Sequence, residues 1–212
     1  MQLSPAAFNG LLGEMGQAVA WRKAYACPCR DDDTGAARQG CPVCDARGQF
    51  WDVVPTEAWT GLAGMRVNRE WAAYGLWESG DVVFTIPSDS PLYAAAEFDR
   101  VVMSNSSEAF SVPRRRGAAN ETLTFPVVQI DRAFWIADGA VVDGDLPVIA
   151  DDGTIDWSGA ATAPDAGVQY SISGRKRQEY FIFRDLVQDR AHFYGLALPR
   201  KVVARKFDLF GR

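Results

Sequence analysis

Four cysteines carry the strongest chemical pattern in this chain of 212 residues, standing as Cys27-Pro28-Cys29 and Cys41-Pro42-Val43-Cys44. Two close pairs separated by an eleven-residue loop can bring four thiolates to the corners of a tetrahedron, which is what a structural zinc site needs. The turn from Cys41 to Cys44 is tight enough for backbone N–H groups to point at sulfur, and Gly48 continues the pattern C-x-x-C-x-x-x-G of zinc ribbons. Arg22, Lys23, Arg30, Arg38 and Arg47 surround the cysteines and could offset the charge of four thiolates. The single residue between Cys27 and Cys29 is tighter than the usual zinc spacing, which keeps two other readings open. Two disulfides would require an oxidising compartment, and the opening Met1-Gln2-Leu3-Ser4-Pro5 has neither the basic nor the apolar stretch of an export signal. Unliganded thiols are the third reading. A redox-active pair would want a βαβ setting that the surrounding pattern does not supply. The expectation is one structural Zn²⁺ on Cys27, Cys29, Cys41 and Cys44. With four protein ligands such a site is closed to substrate, so it folds its segment and does not catalyse.

Catalytic motifs are missing around it. The sequence has no phosphate-binding G-x-x-x-x-G-K-[ST], no G-x-S-x-G elbow and no H-E-x-x-H. One histidine, His192, serves the whole chain, and beside Phe193 and Tyr194 it reads as a packed side chain. Asp143-Gly144-Asp145 and Asp151-Asp152-Gly153 lack the spacing and terminal Glu of a calcium loop and read as acidic turns. The chain is therefore not expected to be an enzyme.

The elements that must position the cysteines follow from patterning. Residues 1–26 read as an N-terminal helical segment, with Ser4 as N-cap, Pro5 at N1, and Phe8, Leu11, Leu12, Met15 and Val19 in one stripe. Residues 27–50 form a loop-rich metal unit. Residues 51–198 read as a β-rich core, because short apolar runs alternate with Gly, Asp and Pro turns. The expected strands are Ala63–Val67, Asp81–Ile86, Arg100–Met103, Leu123–Ile130, Ala133–Ala137, Val168–Ser173 and Tyr180–Arg184. The fold class is thus mainly β, a barrel or sandwich with an N-terminal α-helix and a small zinc-ribbon-like insertion. Within it, 143–164 reads as a long acidic loop with a small hairpin at Asp151-Asp152-Gly153-Thr154. Apolar runs stay far short of the roughly 20 residues that span a bilayer, so no membrane partner is expected.

Charge is lopsided. The 22 Lys and Arg against 27 Asp and Glu give a net charge of -5, but the residues from Glu121 to Tyr170 hold nine acids and one base, and those from Ser171 to Arg212 hold ten bases and four acids. The tail 199–212 alternates bases with Val202, Val203, Phe207, Leu209 and Phe210, a composition that prefers something to pack on. Its expected place is an adjacent subunit, with Arg205, Lys206, Phe207 and Phe210 as contacts and the chain's own sheet as the alternative. Arg114, Arg115 and Arg116, between Pro113 and Gly117, read as a basic loop tip for phosphate or an acidic partner. Phe50, Trp51, Trp59, Trp71, Tyr74 and Trp77 serve equally as core or as interface anchors.

A family resemblance joins these features. The helix, C-x-C, and C-P-x-C-x-x-x-G-x-x-W running to Trp51 are followed by Trp77-Glu78-Ser79-Gly80-Asp81-Val82-Val83-Phe84-Thr85-Ile86-Pro87 and Asp99-Arg100-Val101. Together with Gly167–Ser173 and Tyr180-Phe181-Ile182, this order resembles small virion proteins of tailed bacteriophages, the connector or neck components between portal and tail, some of which carry a small zinc-binding insertion. The resemblance implies a β-barrel core, no enzymatic activity, and assembly in the host cytoplasm into a homo-oligomeric ring of the virion. It also implies neighbouring neck or tail proteins as partners, and non-specific contact with DNA threading the ring. A tail or baseplate structural protein, a zinc-ribbon module that binds nucleic acid, and a zinc enzyme with an unrecognised carboxylate site remain the alternatives.

Overall fold

The computed structural model describes residues 4–63, 80–186, 191–193 and 195–210. The elements run α1 (Pro5–Met15), β1 (Gln17–Arg22), β2 (Ala24–Ala26), β3 (Gln49–Trp51), β4 (Thr56–Ala63) and β5 (Val82–Ile86). They continue with β6 (Arg100–Arg115), β7 (Val127–Ala137), β8 (Ala140–Asp143), β9 (Val148–Ile149) and β10 (Ile155–Asp156). The last are β11 (Gln169–Asp185), β12 (His192–Phe193), β13 (Leu196–Ala197) and β14 (Arg200–Lys206). The expected mainly β class holds, and the core is a closed barrel of six antiparallel strands in the order β14-β5-β4-β1-β6-β11, with β11 returning to β14.

Two compact units divide the chain. The first comprises residues 1–105 and 179–212, and the second residues 106–178. The first contains the barrel, whose interior is filled by Val19, Phe84, Ile86, Leu92, Val101, Met103, Ile182 and Val202, all at most 1% exposed. In the second, Phe110, Leu123, Ala133, Ile155, Trp157, Tyr170 and Ile172 make a separate apolar cluster. A single β-rich core over 51–198 is therefore replaced by two, and β6 and β11 each give residues to both.

The helix is shorter than its sequence pattern. It ends at Met15, and Gln17–Arg22 is extended, paired on one side with β4 and on the other with β6. Gly16 makes the change possible: a Cβ there would sit 2.2 Å from the Leu12 carbonyl oxygen and 3.0 Å from that of Thr60. Val19, which fitted the helical stripe, is a barrel-core residue at 1% exposure. Its neighbours obey the two-residue period as well as the helical one, and tertiary pairing decides between them.

Strand lengths differ in the opposite sense. Of the expected Leu123–Ile130, residues 123–126 precede β7, and Val127–Ile130 join Ala133–Ala137 in that one strand, because Asp131 and Arg132 stand exposed on its surface. Val168–Ser173 and Tyr180–Arg184 are likewise parts of β11, which carries the basic run Arg175-Lys176-Arg177 through register shifts after Ser173 and Arg175. Arg100–Met103 opens the 16-residue β6, whose polar middle hid its continuation. Asp81–Ile86 agrees with β5 to one residue. Of Ala63–Val67 only Ala63, at the end of β4, is described, and Trp71, Tyr74 and Trp77 lie outside the described residues.

The acidic stretch 143–164 is folded, not free. The small hairpin forms as β9 and β10, with the Ala150 N–H donating to Thr154 O. Ile155 and Trp157 are buried in the second cluster, and Asp145 accepts from the backbone N–H groups of Ala161 and Thr162 at 2.8 and 2.9 Å. Burial of these two large side chains outweighs the mutual repulsion of exposed acids.

The tail reading is corrected most strongly. Residues Arg200–Lys206 pair with β5 on one side and β11 on the other, so the tail is the strand that closes its own barrel. Val202, Val203 and Ala204 are at 0, 5 and 0% exposure. Arg205 reaches the buried Asp81 at 3.0 Å, and Phe207 and Phe210 pack on each other and on Trp51. Lys206 lies along Gly80 of the same unit. Full burial of one valine contributes roughly 1.5–3 kcal/mol, and domains are stable by only about 5–15 kcal/mol, so this strand is not dispensable. Truncation after Leu198 should abolish cooperative folding, seen as loss of the urea transition followed by circular dichroism. A truncated chain that still unfolds cooperatively would contradict this account.

Candidate metal centre

Residues 23–55 are inserted between β1 and β4, which pair directly with each other from Gln17↔Thr60 to Trp21↔Thr56. The insertion leaves the barrel as the ribbon β2–β3, in register from Ala24↔Trp51 to Ala26↔Gln49, and the cysteines lie beyond the ribbon's end. Its exit is fixed by Asp99, a carboxylate at 0% exposure. Asp99 Oδ2 accepts from Trp21 Nε1 at 2.8 Å and from the Ala96 N–H at 2.9 Å, while Oδ1 accepts from the Ala24 N–H at 2.7 Å. One buried anion thus joins the last turn of β1, the first residue of β2 and the bend before β6.

At the far end, the Cys27 N–H donates to Gly48 O at 2.9 Å and the Arg30 N–H to Cys27 O at 3.0 Å, making the first turn. The Asp45 N–H donates to Cys41 O at 2.9 Å and the Arg47 N–H to Cys44 O at 2.9 Å, making the second. The second turn passes through left-handed backbone at Asp45, Ala46 and Gly48, with φ of 49, 60 and 72°. Gly48 suits the last of these, since a side chain in that region is strained.

The turns bring all four Sγ atoms within 4.8 Å of one another, with Cys27–Cys41 at 3.8 Å and Cys29–Cys44 at 3.4 Å. A tetrahedral ion with bonds of about 2.3 Å to sulfur sets its ligands about 3.8 Å apart. The four cysteines therefore lie close enough to bind one metal ion, as their spacing implied. All are free thiols, and three are buried. Among the described residues this is the one group of three or more candidate ligands.

Electrostatics favour a cation in the middle. The N–H groups of Cys44 and Val43 point at Cys41 and bring its thiol down to about 6. The Cys29 N–H favours the Cys27 thiolate, yet burial and the hydrogen bonds of Cys44 and Cys41 hold that thiol above its ordinary value. The Arg38 N–H likewise aims at Cys29, and burial with the neighbouring thiols still pushes it up to about 12. One thiolate thus forms readily at Cys41, while burial and the hydrogen bonds of neighbouring thiols resist loss of the protons from Cys27 and Cys29. A bound cation removes that resistance and releases the protons.

Two of the basic residues around the pattern are engaged away from the sulfurs. Arg30 Nε donates to Gly35 O at 3.0 Å, and Arg47 lies 5.7 Å from the Phe207 ring centre. Trp51, at the end of β3, seats the unit on the barrel: its Nε1 donates to Phe98 O at 2.9 Å and its ring meets Phe207 and Phe210 edge-on. Phe98 is held in left-handed backbone, φ 72°, by that bond and by its N–H to Ile182 O. Tyr25 and Phe50 stack 5.4 Å apart on the ribbon.

The Arg114–Arg116 group is not brought to the cysteines and is not a loop tip. Arg114 and Arg115 end β6. Arg114 Nε donates to Thr122 O at 2.9 Å, and Arg116 lies 3.6 Å from Glu121 and over Trp157. Glu121, 8% exposed, also accepts from Tyr170 OH at 2.8 Å and Trp157 Nε1 at 3.2 Å, so these residues form an internal network of the second unit. Burial, with that bond to Glu121, holds the Tyr170 hydroxyl well above its ordinary value. Sequence spacing assigns no such role to Asp99 or Glu121, since an isolated acid beside a strand carries no spacing signal.

Neither a family model nor a curated protein matches this chain.

Metal analysis of purified protein should return about one ion per chain, as a four-ligand site requires. Cys44→Ser should strip amide-exchange protection from 24–51 and leave the barrel strands protected. Two disulfides in non-reducing mass spectrometry would contradict this. Asp99→Ala should lower stability by about 1–3 kcal/mol, since three partly buried donors lose a charged acceptor and can be rehydrated only in part. An unchanged denaturation midpoint would remove Asp99 from this role.

Proposed function

We propose that this chain is a structural protein of a tailed-bacteriophage virion, a ring-forming connector or neck subunit whose four cysteines hold a structural Zn²⁺. The observation that carries the reading is the placement of the cysteine unit as an insertion between two directly paired strands of a small closed barrel. The resemblance implies a β-barrel core, in a family of which some members carry a small zinc-binding insertion, and its most specific parts, Cys27–Trp51 and Gly80–Pro87, fall on the inserted unit and on a barrel strand. Zinc is favoured among thiolate-binding ions by four sulfurs at tetrahedral spacing in a site with no position left for water. The metal supplies order to a segment whose own apolar content is small.

The six-strand barrel has no free edge of its own, while β7 and β8 extend the sheet beyond it and end at β8. Phe8, Leu11 and Met15 on α1 are 36, 50 and 77% exposed, and Val53 and Val54 beside the ribbon are 85 and 78% exposed. Exposed apolar groups of this kind support a protein that buries more surface on joining its neighbours. In this reading the neighbours are copies of the chain and adjoining neck or tail proteins, the place of assembly is the host cytoplasm, and DNA passing through the ring is touched without sequence preference. No turnover is assigned. The alternative of a nucleic-acid module draws less support, because Arg114 and Arg116 are engaged inside their own unit.

Sedimentation velocity and negative-stain images of the zinc-loaded chain should show a closed ring. A monomer at tens of micromolar, combined with salt-dependent DNA binding, would replace this reading with the nucleic-acid one.

A further inference from the structure

On the barrel's outer wall, β1 and β6 are paired so that Arg22 stands directly opposite Arg100. Val19 and Val101 turn into the core, and the two-residue alternation of strands sends both arginines outward on one face. Like charges directly across an antiparallel pair repel. Arg100 is answered: its Nε donates to Glu179 Oε1 at 3.1 Å, its Nη2 reaches the same oxygen, and its guanidinium lies 4.4 Å from the Phe207 ring centre. Arg22 is half-buried and, among the described residues, makes no hydrogen bond or ion pair of its own. Burial, then Arg100, draws its guanidinium below the ordinary value, and Glu179 opposes them. A planar fork of five donors is thus held in a partly dry place beside a second cation.

We infer that Arg22, with Arg100 beside it, receives a carboxylate presented by a second copy of this chain. Among the described residues, two guanidiniums face the one carboxylate of Glu179, an excess of positive charge that suits a single further carboxylate better than a run of phosphates. The chain's net charge of -5 also opposes a polyanion. The chain itself offers the ligand: residues 121–170 hold nine acids against one base, and Asp138, Asp151 and Asp165 are exposed. Two of the tail's arginines are engaged at home, Arg200 with Asp185 at 2.6 Å and Arg205 with Asp81 at 3.0 Å, whereas Arg22 pairs its half-buried guanidinium with a second one instead of an ion-pair partner. In a ring, the acidic stretch of one copy faces a different surface of the next, so donor and acceptor need not lie on the same patch. The second copy as source rests on the ring reading; the carboxylate site does not.

The test uses the full zinc-loaded chain, a fluorescent octaglutamate peptide as carboxylate probe and a single-stranded oligonucleotide as phosphate probe. Octaglutamate should bind, and Arg22→Gln should weaken it about tenfold, the scale of one charge-assisted hydrogen bond. Arg22→Lys, which keeps the charge and the strand but not the fork, should recover only part of the loss. Equal octaglutamate binding by Arg22→Gln and wild type would overturn the inference, as would Arg22-dependent binding of the oligonucleotide alone. Sedimentation of the same samples separates the two readings. A wild-type ring that Arg22→Gln leaves intact, with unchanged peptide binding, overturns this inference and spares the ring. A wild-type monomer that binds octaglutamate through Arg22 overturns the ring and leaves the carboxylate site with another protein as its source.

Discussion

Asp99 is the point on which the first unit's geometry turns. A carboxylate removed from water is costly unless every oxygen is answered, and Asp99 is answered by an indole, and by two backbone N–H groups from different segments. Because those donors belong to the end of β1, the start of β2 and the bend before β6, they cannot move independently. The metal ribbon therefore leaves the barrel at a set angle, and Arg100, the next residue after Asp99, is set on the outer wall opposite Arg22. A neutral side chain of similar size would keep the shape but lose the charge-assisted bonds that make the junction rigid.

The cysteine unit and the barrel's closing strand are joined through the same group of aromatic rings. Trp51 comes from the ribbon, Phe207 and Phe210 follow β14, Phe98 follows the bend, and Phe181 comes from β11, with ring centres 4.9–5.8 Å apart. Such edge-on pairs contribute about 0.5–1.5 kcal/mol each beyond their area. The ribbon is short and its own buried cluster is little more than three cysteines and part of Phe50. Its order thus rests on the rings at one end and on a cysteine cluster close enough to hold an ion at the other. The rings are not local to the 27–50 stretch that carries the sequence signal.

What was legible in the sequence was what spacing alone encodes. Four cysteines at close intervals announced a tetrahedral cluster, Asp-Gly and Pro turns announced short strands, and Asp81–Ile86 was read nearly to the residue. What was illegible depended on partners far along the chain. Gln17–Arg22 satisfies helical and strand periods equally, and only β4 and β6 on either side decide it. Asp131-Arg132 and Arg175-Lys176-Arg177 broke apolar runs without breaking strands, because an exposed face tolerates charge. The C-terminal tail was read correctly as a segment that needs something to pack on. Its alternation held no information about whether that surface was its own barrel.

The correction of the tail changes where charge can act between molecules. Arg200 and Arg205 looked available because the tail looked free, and a free basic strand is a natural docking element. Once the tail is the sixth barrel strand, its arginines are tied to Asp185 and Asp81, the latter at 0% side-chain exposure. Breaking the buried Arg205–Asp81 pair to form an intermolecular one leaves an uncompensated charge, which costs more than a surface contact returns, whereas the Arg200–Asp185 pair is exposed. Positive charge for a neighbour is less costly from a residue that holds no ion pair within the fold. The register of β1 on β6 creates that condition at Arg22, since the pairing that places Val101 in the core also sets two arginines side by side. The same strand pairing thus builds the core on one face and, on the other, sets Arg22 beside Arg100 with no hydrogen bond or ion pair of its own among the described residues.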